Sequence, residues 1–206
     1  FRAALVLAWL LRPFGSLVPG RLGAMLRLVP KRIPPRSPIE GPKVHKTEGA
    51  AFKRVALLAG CAQQVLSPSI NESTIRLLNR HGVEVVTAKG AGCCGALVHH
   101  MGRAEEGHEA ARRNVDAWTR EIEADGLDAI IINASGCGTS VKDYGFMLRN
   151  DPAYASNAER VSAITKDIVE FMSDLGLQNS KPPKPLKLAY HSACSMQHGQ
   201  QLKDEP

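Results

Sequence analysis

The chain has 206 residues, 44% of them hydrophobic and 22% charged, with five cysteines and a formal net charge of +6. That length supports one α/β domain of about 120 to 150 residues plus an additional segment, and an odd, widely spaced set of cysteines excludes a small secreted disulfide scaffold and suits a reducing compartment. The charge is uneven: residues 1–50 hold nine Lys/Arg against Glu40 and Glu48, while the rest is nearly neutral, 17 basic against 18 acidic. With no interleaved aromatics and no helix-turn-helix or RNA-binding signature, the basic stretch does not predict nucleic-acid binding.

In chain order, the apolar run AALVLAWLL (residues 3–11) lies between Arg2 and Arg12. It is too short to span a bilayer and lacks the cleavage pattern of a signal peptide. We read residues 1–28 as a helical segment of an upstream ferredoxin-type domain, packed on a part the fragment lacks. Pro30, Pro34, Pro35, Pro38 and Pro42, set among Lys and Arg, predict an extended basic linker over residues 29–50.

From residue 51 strands and helices alternate. Arg54–Ala59 reads as a strand, and Ser67-Pro68 as the start of a helix marked by Ile70, Thr74, Leu77 and Leu78 and ended by Gly82. Val83–Thr87 is the second strand; Gly107, Ala111, Val115, Trp118 and Ile122 then recur at helical spacing, with Trp118 a core residue. Ala129–Ala134 is the third strand, with an Ile run suited to burial on both faces. A short helix is expected over 141–150, and Val161, Ile164, Ile168, Met172 and Leu175 predict one longer helix closed by Gly176. The alternation predicts a Rossmann-like, doubly wound parallel sheet, an α/β domain over residues 51–178.

The pattern Arg54-x-Ala56-x4-Cys61-x2-Gln64 recurs as Lys187-x-Ala189-x4-Cys194-x2-Gln197, after the linker-like NSKPPKPL. Residues 179–206 therefore read as a linker and the first strand of a second, truncated copy of the domain.

The cysteines follow the apolar runs: Cys61 after VALLAG, Cys93-Cys94 inside GAGCCG, Cys137 after AIIINASG and Cys194 after LKLAYHSA. Cysteines at successive strand ends should gather at one edge of a parallel sheet. Adjacent thiolates diverge, so Cys93 and Cys94 suit a polynuclear iron–sulfur cluster, where neighbours can take different irons, better than one tetrahedral zinc. Flanking glycines let backbone N–H groups approach the sulfurs, and helices starting there would favour thiolates. Spacing alone leaves three readings open: a metal cluster, a redox-active dithiol, and zinc or plain packing. His99 and His100 lie near the Cys-Cys-Gly turn but read as surface or helix-start residues. The GAG at 90–92 has neither dinucleotide-binding nor Walker spacing.

The phrases GCAQQVLSPSIN, AGCCGALVHH, RNVDAW, NASGCGTSVKDYG and AYHSACSMQH together resemble the iron–sulfur subunits of bacterial glycolate oxidases, over nearly the whole chain. That family belongs to a wider group with paired cysteine-rich CCG domains, which includes the B subunit of heterodisulfide reductase, lactate-utilisation iron–sulfur proteins and the anaerobic glycerol-3-phosphate dehydrogenase C subunit. Cys61, Cys93, Cys94 and Cys137 match the group's ligand pattern, with Cys194 as the corresponding first ligand of the second copy. Ser140 stands where the group's last cysteine would be, so the resemblance implies a four-thiolate 4Fe-4S cluster rather than a five-thiolate non-cubane one. It implies electron transfer from FAD on a partner subunit, which oxidises glycolate to glyoxylate, to a quinone or other acceptor. A cytoplasmic location follows from the resemblance, with peripheral contact at the inner membrane face compatible with the basic N-terminal stretch. Alternatives are a heterodisulfide-reductase-like or lactate-utilisation subunit, or a zinc-holding assembly module.

Overall fold

The computed structural model describes residues 2–39, 41–177, 184–185 and 187–204. Strands β2 (Lys53–Leu57), β3 (Val83–Thr87), β4 (Ala129–Ile132) and β5 (Thr165–Asp167) run parallel, and β1 (Lys43–His45) adds antiparallel beside β3. The sheet order is β1-β3-β2-β4-β5. In register, Val55 lies opposite Val85 and Ala129, and Ala56 opposite Val86 and Ile130.

Side chains alternate across a strand, so each central strand feeds two cores. Val55, Leu57, Val83, Val85, Ala129 and Ile131 face one side, where Ile75 and Leu78 of α4 (Pro68–Arg80) and Phe171 and Met172 of α10 (Ile168–Leu175) cover them. Ala56, Leu58, Val86, Ile130 and Ile132 face the other, under α6 (Ala104–Ala124), α8 (Tyr144–Met147) and α9 (Ala155–Ala163). This is the expected doubly wound α/β arrangement, and Trp118 is fully buried within it. Arg54 closes the end away from the cysteines: it bonds Glu121 of α6 at 2.7 Å, Glu84 of β3 at 3.2 Å and the Gly126 carbonyl at 2.9 Å.

At the N-terminus α1 (Arg2–Leu11) and α2 (Gly20–Leu28) flank a 3-10 turn at Arg12–Phe14. α1 buries none of its residues, and Val6, Leu7, Trp9, Leu10 and Leu11 are exposed. The helices are tied to the following segment by Arg2 to the Pro34 carbonyl, 2.5 Å, and Trp9 to the Lys31 carbonyl, 3.0 Å.

Four expectations need correction. The proline-rich stretch contains strand β1, because the outer edge of β3 offers unpaired backbone groups that Lys43–His45 can satisfy. The single helix expected over 161–175 is two helices with β5 between them: Thr165 and Lys166 pair with Ile130 and Ile131, and Asp167 and Glu170 form a capping box that starts α10 afresh. The helix expected from residue 141 begins earlier, as α7 (Ser135–Lys142), and gives way to α8 at Tyr144. Finally, residues 187–193 form no strand, since no neighbour pairs with them; Cys194 instead precedes a π-helical turn, Ser195–Gly199. Most of the linker-like NSKPPKPL lies outside the described residues.

Asp167 accepts a hydrogen bond from the Val169 N–H at 3.1 Å, and Glu170 accepts from the Asp167 N–H at 3.2 Å. Burial pushes the Asp167 carboxyl above the usual carboxylate range. A raised acid contributes most below its unfolded pKa and loses that contribution as pH climbs through the folded value. Asp167→Ala should cost about 1 kcal/mol through the lost cap. Asp167→Asn, which keeps an acceptor, should gain on wild type as pH rises through the carboxylate range, as measured by urea denaturation at several pH values.

Candidate metal centre

β3, β2 and β4 are adjacent and parallel, so their C-terminal ends open on one edge of the sheet, and the chain changes direction between β2 and β4. Open α/β sheets hold their ligands in this crevice. The loop after β2 carries Cys61 and enters α3 (Gln63–Leu66); the loop after β3 carries Cys93 and Cys94 and enters α5 (Ala96–His100); Cys137 lies in the first turn of α7, directly after β4.

The fold brings these four sulfurs together as two pairs. Cys61 and Cys93 Sγ are 3.6 Å apart, and Cys94 and Cys137 Sγ are 3.1 Å apart. Cys94 is buried at 4% exposure, Cys93 and Cys137 are half-buried, and Cys61 is exposed. The Gly95 N–H donates to Cys93 Sγ at 3.5 Å, and the Ala62 and Ala96 N–H groups face Cys61 and Cys94.

Crowded thiols compete for protons. The hydrogen bond between Cys93 and Cys94 holds the Cys93 proton well above the ordinary thiol range, and burial, followed by Cys93, raises Cys61. Cys94 donates to Cys137, which pushes Cys94 up to about 11 and Cys137 below the usual range. Four thiolates so close repel one another unless a cation is shared.

Two buried polar networks hold the loops. Asn114 of α6 accepts from the Gly92 N–H at 2.8 Å and donates to the Cys93 carbonyl and the Tyr144 hydroxyl, each at 3.0 Å. Tyr144 donates to the Cys94 carbonyl at 2.8 Å. Beneath the other loops, Gln63 donates to Asn71 and Asn133 at 2.6 and 2.7 Å, Asn71 to the Ala59 carbonyl at 2.8 Å, and Asn133 to Thr74 at 2.9 Å. Gly95 joins the Cys pair to α5 at φ +82°, and a Cβ there would come within 2.9 Å of both Ala110 Cβ and the Gly107 carbonyl oxygen. Only glycine meets both demands.

Asn114 and Tyr144 were not singled out from sequence. Asn114 carried a usable signal: it is a polar residue at helical spacing within the apolar stripe Ala110, Ala111, Val115 and Trp118. Other residues stand apart. The Ser140 hydroxyl bonds back to the Gly136 carbonyl at 3.3 Å within α7. His99 faces His108, ring centroids 6.1 Å apart. Cys194 is exposed and makes no sulfur contact with the four, although its neighbour Ser195 bonds Ser135 at 2.7 Å and Gln200 bonds the Ser135 carbonyl at 3.0 Å, laying this segment along α7.

A single zinc draws four thiolates to one point about 3.8 Å apart from one another, as tetrahedral bonds of about 2.3 Å require. Among the described residues, no group of three or more His, Cys, Asp or Glu side chains is placed to hold a single metal ion. An all-thiol donor set in two pairs, at the mouth of three loops with N–H groups aimed at sulfur, fits a polynuclear iron–sulfur cluster.

Residues 55–142 match the cysteine-rich CCG domain family. The chain is 42% identical over 205 residues to the glycolate oxidase iron-sulfur subunit of Escherichia coli K12, covering 100% of this chain and 47% of that protein. It is 28% identical over 226 residues to the probable glycolate oxidase iron-sulfur subunit of Bacillus subtilis 168, covering 48% of it. Lactate utilization protein A of Bacillus licheniformis is 24% identical over 74% of this chain and 62% of its own length. The chain thus spans about half the length of the two glycolate oxidase subunits it resembles. No solved structure matches it.

The thiol pairing makes a prediction for the metal-free protein. The first proton leaves at Cys137 while Cys94 keeps its own, so iodoacetamide at mildly alkaline pH should label Cys137 well before Cys94. Cys94 should follow only as pH climbs towards 11. Peptide mass spectrometry after timed labelling checks the order; equal labelling of the two would contradict it.

Proposed function

We propose that this chain, whose residues 55–142 carry a CCG cysteine-rich domain, is the electron-transferring iron–sulfur subunit of a glycolate oxidase. The observation that carries the reading is the meeting of Cys61, Cys93, Cys94 and Cys137 from three adjacent strand ends. Similarity over the whole chain to glycolate oxidase iron-sulfur subunits supports it.

In this reading the four thiolates hold one 4Fe-4S cluster, and Cys194 belongs to a second copy of the domain. The cluster supplies a one-electron carrier. The residues around it tune its affinity for that electron: N–H groups of Ala62, Gly95 and Ala96 place positive charge against sulfur and favour the reduced state. Ser140, with its hydroxyl committed within α7, adds no fifth ligand, which favours a cubane cluster. A partner subunit with FAD would oxidise glycolate to glyoxylate, and a quinone or other acceptor would take the electrons, so this chain sets distance and potential.

No helix among the described residues is long and apolar enough to cross a membrane. We place the protein in the cytoplasm, where any approach to the inner membrane face would be peripheral and helped by the basic N-terminal stretch. A second reading has its own support: Cys94 and Cys137, 3.1 Å apart, could work as a dithiol on a disulfide substrate, as in a heterodisulfide-reductase-like protein.

Anaerobic reconstitution with iron and sulfide should give about four irons and four sulfides per domain, with a visible thiolate-to-iron band. Cys94→Ser or Cys137→Ser should lose most of the iron, and Cys194→Ser should keep it. A folded protein that takes up neither iron nor sulfide would leave the dithiol or zinc readings.

The substrate assignment is tested separately in the full complex. Glycolate should bleach the band under anaerobic conditions and lactate far more slowly, and adding a disulfide to the glycolate-reduced complex should not restore the band. Faster reduction by lactate would move the assignment to lactate utilisation.

A further inference from the structure

The Cys93-Cys94 segment ends a continuous hydrogen-bond chain that begins inside the domain core. Asn114 Nδ2 donates to the Tyr144 hydroxyl at 3.0 Å, the hydroxyl donates to the Cys94 carbonyl at 2.8 Å, and the N–H of that same peptide group, on Gly95, donates to Cys93 Sγ at 3.5 Å. Asn114 also grips the segment directly through the Gly92 N–H and the Cys93 carbonyl. Asn114 and Tyr144 are both fully buried, and each comes from a different helix packed under the loop.

We propose that Asn114 and Tyr144 are positioning residues that set the redox potential and retention of whatever the Cys93 and Cys94 thiolates hold, by polarising the Cys94–Gly95 peptide towards the Cys93 sulfur. The proposal rests on the iron–sulfur reading for its redox part.

Donors aligned head to tail polarise one another, so a hydroxyl on the carbonyl strengthens the N–H at the far side of the same amide. The positive end of the chain meets sulfur, where charge increases on reduction, so the chain favours the reduced state. Asn114, Tyr144, Cys94 and Gly95 are buried from solvent, and removing the Tyr144 hydroxyl leaves the buried Cys94 carbonyl unpaired. The same contacts fix where Cys93 and Cys94 project, because both carbonyls of the pair are held.

Tyr144→Phe is the sharpest variant, since it deletes one oxygen and keeps the ring in the core. Thr165→Val is the control: the Thr165 hydroxyl also makes a buried hydrogen bond, 2.7 Å to the Val161 carbonyl, but at the start of β5, away from the cysteine-bearing strand ends. Redox titration of reconstituted protein should place the midpoint potential of Tyr144→Phe below that of wild type, with iron released to a chelator about tenfold faster. Asn114→Leu should shift both in the same direction and further. Thr165→Val should leave both unchanged while lowering thermal stability.

A readout without iron accompanies these. In the metal-free protein, Cys94 of Tyr144→Phe should be alkylated several-fold faster than in wild type, with an unchanged rate at Cys194. Wild-type potential, iron release and alkylation in a folded Tyr144→Phe would overturn the proposal, as would an equal potential shift in Thr165→Val. If wild type takes up no cluster, the iron–sulfur reading fails by itself, and the alkylation rates decide the positioning claim.

Discussion

Parallel pairing of β2 with both β3 and β4 is the constraint on which the site depends. Parallel strands share a direction, so their ends share an edge, and side-by-side placement of these three confines Cys61, Cys93 and Cys94 to neighbouring loops and Cys137 to the first turn of α7 beside them. Residues as far apart in sequence as Cys61 and Cys137 meet because the chain crosses from β3 past β2 to reach β4. That crossing is possible because both faces of the sheet are apolar and take helices, with α4 and α10 on one side and α6, α8 and α9 on the other. The same alternation that lets Val55 and Ala56 serve opposite cores thereby positions the thiols.

Under the cysteines the core turns polar at selected points. Asn71 and Asn114 are fully buried amides, and burying one without partners costs about 1 to 3 kcal/mol. Here each has partners on the loops themselves: Asn71 on the Ala59 carbonyl, Asn114 on Gly92 and Cys93. Such groups stabilise the fold only when the loops take the conformation that presents the thiols, so stability and site geometry are coupled. α6 is held at both ends of this arrangement, by Arg54 to Glu121 at the far edge and by Asn114 at the cysteine edge.

The convergence of the cysteines was legible because each follows an apolar run, and the ends of buried parallel strands can go to only one edge. Trp118 was legible for a similar reason, sitting on a long periodic helix. β5 was not, because three residues carry too little pattern to interrupt a helical spacing that continues across them from Val161 to Met172. The D-x-x-E box at Asp167 and Glu170 was the available signal. β1 was hidden by its proline-rich surroundings, since pairing with β3 is a tertiary fact that local composition does not carry. Lys187–Cys194 shows the reverse: its pattern repeats that of Arg54–Cys61, yet without neighbours it forms no strand. The roles of Asn114 and Tyr144 needed coordinates, because a hydrogen bond to a backbone carbonyl leaves no mark in residue spacing.

The central claim is that thiols from three strand ends share one inorganic centre. X-ray absorption at the iron edge of the anaerobically reconstituted protein tests it most directly. The account predicts a first shell of sulfur alone together with iron–iron scattering from a polynuclear cluster. A shell containing oxygen or nitrogen, or an isolated iron without a second metal nearby, would contradict it.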